Sequence, residues 1–173
     1  MAVILGIDPG SRTCGYGLIN SVGNKLEYIA SGCIRLEKLD FPRRLHTIFV
    51  TLGEIIEKYQ PRTAAVEEMF LGKNAASAIK LGQARGAALV ACSNQDVEIV
   101  EYSTRKVKQA LVGTGAASKE QMQHMVTILL SLSKAPQADA ADALSVAICH
   151  AHIHANLIKM AGVRSSRKRR FRG

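Results

Sequence analysis

Four acidic residues stand where short-range sequence signals could bring them together. Asp8 closes an apolar run, Val3–Asp8, that reads as a strand buried on both faces and ends abruptly at Pro9-Gly10. Proline lacks a backbone N–H and Gly10 tolerates positive φ, so the strand is expected to stop there with its carboxylate at the tip. A second short strand, Thr63–Glu67, also ends in acid. Asp139 and Asp142 open a long helical segment with the spacing i, i+3, which puts both on one helix face. The plain alternatives are that Asp8 starts a turn and that the two helix acids complement the helix dipole. Neither explains two acids on one face of an otherwise apolar helix. Two like charges 4 Å apart repel by about 4 kcal/mol at an effective dielectric of 20, so four gathered carboxylates call for bound cations or for some acids to stay protonated. Hard oxygen ligands suit Mg²⁺ or Mn²⁺. Two such ions can activate a water and stabilise the leaving oxygen of a phosphodiester. Glu68 rivals Glu67 for the fourth place, because strand alternation sends the two to opposite faces.

The elements that must carry these acids follow from periodicity and punctuation. After the first strand, Gly15–Val22 and Lys25–Arg35 read as strands joined at the turn signal Gly23-Asn24, so the opening is antiparallel. Asp40 and Pro42 start a helix whose apolar residues, Leu45 through Tyr59, recur at helical spacing until Pro61. A strand reached through a helix crossover lies parallel to its neighbour. If Thr63–Glu67 lies beside the first strand, Asp8 and Glu67 leave the same sheet edge. An Ala-rich helix is expected over Asn74–Ala91, interrupted at Gly82 and Gly86, where small residues would admit another backbone. A fifth strand, Val97–Tyr102, precedes a helix capped by Ser103 and running to Val112. Gly113–Ala117 is a flexible link, and Ser118 with Gln121 forms a capping box. The last helix is expected over Gln137–Met160.

Composition sets the outer limits. A chain of 173 residues, 47% hydrophobic and 21% charged, has room for one domain with a full core. No apolar run reaches the ~18 residues of a membrane span and no signal peptide is visible, so a cytoplasmic location is expected. Cys14, Cys33, Cys92 and Cys149 are widely spaced and read as reduced thiols. The net charge is +9, and six of the 23 Lys and Arg residues crowd into 164–173 (RSSRKRRFRG) without one acid. A basic end of this kind suits a polyanion. Residues 161–173 are accordingly expected to form a disordered basic tail behind a domain spanning 1–160.

Other motifs fall short. Gly10–Gly15 has the glycine spacing of a P-loop, but Tyr16-Gly17 replaces the Lys and Ser/Thr that phosphate and Mg²⁺ require. His150 and His154 share a helix face and could bind zinc, against the plainer reading of packed histidines on a long helix.

Four blocks together carry a family resemblance: Gly6-Ile-Asp-Pro-Gly-Ser-Arg12, Phe70 with Lys73-Asn74, Lys80-Leu-Gly-Gln-Ala-Arg-Gly86, and Gln137-Ala-Asp-Ala-Ala-Asp-Ala-Leu144. The first alone would also fit ATPases of the actin type. To about residue 160, the chain resembles the RuvC-type Holliday-junction endonucleases of bacteria. The resemblance implies a ribonuclease H-like α/β fold, a five-stranded mixed sheet of order 3-2-1-4-5 flanked by helices. It implies that Asp8, Glu67, Asp139 and Asp142 are catalytic, metal-binding acids that hold two Mg²⁺ ions, with Mn²⁺ able to substitute. It further implies a homodimer that cuts four-way junction DNA by paired symmetric nicks, leaving 5′-phosphates, in recombination and DNA repair, with the branch-migration proteins RuvA and RuvB as partners. Phe70 falls where the family stacks a junction base, and Lys73, Asn74, Lys108 and Lys119 fall at or beside its DNA-contacting positions. Two other readings stand beside it: a non-catalytic junction-binding protein, which the intact acids argue against, and a sugar-kinase-like ATPase, for which the chain lacks a second phosphate loop.

Overall fold

A computed structural model describes residues 2–68 and 74–170. The elements run β1 (Ala2–Asp8), β2 (Thr13–Val22), β3 (Lys25–Arg35), α1 (Phe41–Tyr59), β4 (Thr63–Glu67), α2 (Ala75–Ser93), β5 (Glu98–Tyr102), α3 (Thr104–Val112), α4 (Lys119–Leu129) and α5 (Ala138–Arg170). The five strands form one mixed sheet in the order β3-β2-β1-β4-β5. This is the ribonuclease H-like arrangement that the family resemblance implies. β2 pairs antiparallel with β1 and β3, whereas β4 pairs parallel with β1 and β5. Ile7 stands opposite Val66, so Asp8 and Glu67 leave adjacent strands at the same edge.

Alternation along β1 divides the core. Leu5 and Ile7 point to the side covered by α1 and α2, where they join Leu18, Ile48, Leu52, Val66 and Ala88. Ile4 points to the other side, with Ile19, Ala65, Val126, Leu144 and Ile148 beneath the C-terminal helices. The sheet is thus buried on both faces, as its apolar central strands require.

The helices begin where local chemistry starts them. The Asp40 carboxylate accepts the Arg43 N–H at 2.9 Å, and Ser118 and Gln121 form the reciprocal capping box. Gln60, at φ 48°, turns the chain out of α1 ahead of Pro61. In the β2–β3 turn, Gly23 sits at φ 61°, which an L side chain rarely adopts. The four cysteines are free, as their spacing predicts. No helix among the described residues is long and apolar enough to cross a membrane.

Several expectations are corrected. β1 and β2 begin earlier, at Ala2 and Thr13, and β5 begins one residue later, at Glu98. Gly10 does not take positive φ; a side chain there would strike the carbonyl oxygen of Thr13 across the turn. α2 runs unbroken through Gly82 and Gly86, because a single helical glycine costs only ~1 kcal/mol and tertiary packing outweighs it. Nothing lies within 4 Å of the place a Gly86 Cβ would occupy, so no other backbone approaches there. α5 continues ten residues past Met160, the expected helix end, to Arg170, for no Pro or Gly pair stops it.

α5 lies directly on the sheet, and three glycines make that possible. A Cβ on Gly6 would overlap the carbonyl oxygen of Ala143, and one on Gly15 that of Asp139. A Cβ on Gly17 would come within 2.6 Å of the Leu144 side chain. The missing side chains let the first turns of α5 settle against β1 and β2 at the sheet edge that carries Asp8.

Candidate active site

Three elements deliver the acids. β1 ends in Asp8, β4 ends in Glu67, and the first turn of α5 presents Asp139 and Asp142. Asp8, Asp139 and Asp142 each bring a carboxylate oxygen within 4.8 Å of the others. It is the only such group of metal-competent side chains among the described residues. Glu67 stands beside this triad rather than in it. Its neighbour in register on β5 is Tyr102, and its carboxylate accepts the hydroxyl of Thr104 at the start of α3.

The electrostatics match the geometry. Burial, then the charges of Asp142, Glu67 and Asp139, push the Asp8 carboxyl up to about 7, while Lys119 pulls the other way. Burial also raises Glu67, helped by Asp142 and opposed by the Thr104 hydrogen bond and by Lys119 and Lys108. Of the two glutamates, Glu67 is the one whose charge acts on Asp8. Glu67 faces the acids, whereas Glu68 is exposed and uses its backbone N–H on the Tyr102 carbonyl at 2.9 Å.

Lys119 reaches into the site. Its ammonium lies 3.3 Å from Asp142 Oδ2, and that contact raises its pKa. Lys108 is half-buried on α3 and acts on Glu67 as a neighbouring positive charge. Asn74 has a structural role that was not expected: its side-chain oxygen caps α2 by accepting the Ser77 N–H at 3.2 Å. Phe70 and Lys73 lie outside the described residues. Thr104 went unnoticed in the sequence. The available signal was a hydroxyl two residues past the strand that pairs with Glu67, next to Ser103, which caps α3 through the Lys106 N–H.

Two histidines of α5 pack against their neighbours. His150 Nδ1 lies 2.8 Å from the Tyr102 hydroxyl, and its ring stacks on His154 at 5.9 Å between centroids. Burial and His154 hold the His150 pKa down. No third ligand closes a metal group around this pair among the described residues.

A mixed sheet of this order, with carboxylates at the tips of its two central strands and on the helix across them, defines the chain as a ribonuclease H-like protein with an acidic site. The family model for crossover junction endodeoxyribonuclease RuvC matches residues 4–150. A protein of that name from Photobacterium profundum is 59% identical over 169 residues, covering 98% of each chain. One from Teredinibacter turnerae is 58% identical over 175 residues, covering 98% of this chain and 99% of the relative. The solved structure of Thermus thermophilus RuvC in complex with a Holliday junction substrate matches at a TM-score of 0.84 and 33% identity. It covers 90% of this chain and 96% of its own. The chain belongs to the RuvC family of crossover junction endodeoxyribonucleases.

Proposed function

We propose that this chain is a divalent-cation-dependent endonuclease that resolves four-way DNA junctions by paired symmetric nicks, leaving 5′-phosphates, in recombination and DNA repair. The observation that carries the reading is the convergence of Asp8, Asp139 and Asp142 with Glu67 alongside. Family membership and the junction-bound relative supply the substrate class.

The donor set fits a hard divalent cation. It is made only of carboxylates, and burial together with their mutual repulsion raises Asp8 despite the opposing charge of Lys119. Asp8, Asp139 and Asp142, with Glu67 beside them, would hold the Mg²⁺ or Mn²⁺ ions. The bound ions would supply Lewis acidity for in-line attack of water on the phosphodiester and charge for its leaving oxygen. Lys119 places an ammonium at the rim of the acid group, where a phosphate would otherwise meet only negative charge. Lys108 adds a second positive group near Glu67. Phe70, Lys73 and Asn74 stand in the sequence just past the catalytic strand, where the family engages the junction core. A base stacked on Phe70 would offset unpairing by ~1–3 kcal/mol.

A homodimer gives two such sites related by a two-fold axis, matching the approximate symmetry of a four-way junction. α2 supports it. Ile79 and Val90 are 63% and 57% exposed, and Gly86 lies between them along the helix with open space above it. An apolar face with a small residue at its middle suits close packing against the same helix of a second copy. RuvA and RuvB are the partners that family membership suggests, and the cytoplasm is where such DNA lies.

Substituting Asp8→Asn and Asp142→Asn tests the reading. Both variants are expected to bind a synthetic four-way junction and to lose its cleavage. Undiminished turnover in both would overturn it.

A further inference from the structure

We propose that Thr104 is a positioning residue for Glu67, fixing that carboxylate toward the cation site; the inference rests on the nuclease reading above. Glu67 is the acid that the triad does not enclose, so something else must orient it. β4 and β5 supply the means. Glu67 pairs in register with Tyr102, and two residues on, α3 opens at Thr104. The helix N-terminus is already capped by Ser103, whose hydroxyl accepts the Lys106 N–H. The Thr104 hydroxyl is therefore not used for capping, and it donates to Glu67 Oε1. An ionised carboxylate only accepts, so this bond occupies one oxygen and leaves Oε2 for a cation. Lys108 lies one turn further along the same helix, and its charge acts on Glu67 too. One face of α3 thus braces the glutamate from behind with a hydroxyl and a positive charge.

Hydrogen bonds to a metal-binding carboxylate set its orientation, and losing one typically costs 10–100-fold in metal affinity. The test is Mn²⁺ binding by the full chain without DNA, followed by the electron paramagnetic resonance signal of free Mn²⁺. Wild type is compared with Thr104→Val, Thr104→Ala, Thr104→Ser and Glu67→Gln, each also checked for folding by circular dichroism. Thr104→Val and Thr104→Ala are expected to weaken one Mn²⁺ equivalent about 10–100-fold, and Thr104→Ser to restore it. In a Glu67→Gln background, Thr104→Val is expected to add no further loss. Wild-type affinity in both the Val and Ala variants, or a full additional loss in the Glu67→Gln background, would overturn the assignment. A wild-type chain that takes up no Mn²⁺ at all would instead overturn the nuclease reading beneath it.

Discussion

At the scale of single residues, Asp8 bears the largest electrostatic cost in the site. Its carboxyl is raised from 3.8 to about 7 by burial and by three neighbouring acids. A raised carboxyl binds its proton more tightly when folded, so the penalty is absent below pH ~4 and grows as pH rises toward 7. At 1.36 kcal/mol per pH unit, the metal-free protein is expected to lose about 4 kcal/mol over that window. Urea denaturation between pH 4 and pH 8 checks this. Asp8→Asn should flatten the profile, and added Mg²⁺ should recover stability at the alkaline end. A wild-type profile that rises with pH across this window, or one that Asp8→Asn leaves unchanged, would contradict the account. The four acids were legible in the sequence because each sits at a punctuated place: a strand tip before Pro9, a strand tip after a crossover, and an i, i+3 pair at a helix start. Thr104 was not legible, because its role depends on β5 lying beside β4 and on Ser103 having taken the cap.

At the scale of elements, the seating of α5 decides whether the acids meet. Gly→Ala in a position with room stabilises a protein by about 0.4–1 kcal/mol through the unfolded state. At Gly15 the sign reverses, because the new methyl group meets the Asp139 carbonyl itself. Gly15→Ala is expected to cost about 3 kcal/mol and to weaken cation binding by displacing the turn that carries Asp139 and Asp142. Gly86→Ala, with open space above it within one chain, is expected to stabilise the monomer by ~0.5–1 kcal/mol. Thermal or urea unfolding of the pair reads both signs in one comparison. The sequence showed where these glycines were and not what lay over them. Gly10, read as tolerating positive φ, does not take it and clears the Thr13 carbonyl; Gly86, read as admitting another backbone, meets nothing within this chain. A glycine is informative only once its opposing surface is known. The strands and helix starts needed no such knowledge, since the caps at Asp40, Ser103 and Ser118 and the turn at Gly23 act within a few residues.

At the scale of the whole molecule, one sheet edge gathers the chemistry. The carboxylates lie at the tips of β1 and β4 and on α5, braced by α3, with Lys119 of α4 at the rim. On the far face, α2 buries Ala84, Ala88, Ala91 and Cys92 and leaves Ile79 and Val90 outward. The full sheet order is what the family resemblance implies, while the mixed pairing of neighbouring strands follows from sequence rules, because a helix crossover gives a parallel pair and short hairpins fix β2 and β3. The extension of α5 to Arg170 does not, since charge density predicts a partner and says nothing of backbone conformation. A two-fold pair of these sites should act on a junction as a unit. The decisive measurement maps the nicks made in a synthetic immobile junction and in linear duplex, with and without Mg²⁺. The account predicts two nicks at symmetry-related positions of the junction, only with the cation present, and an intact duplex. Equal cutting of linear duplex, or cutting that persists without any divalent cation, would contradict it.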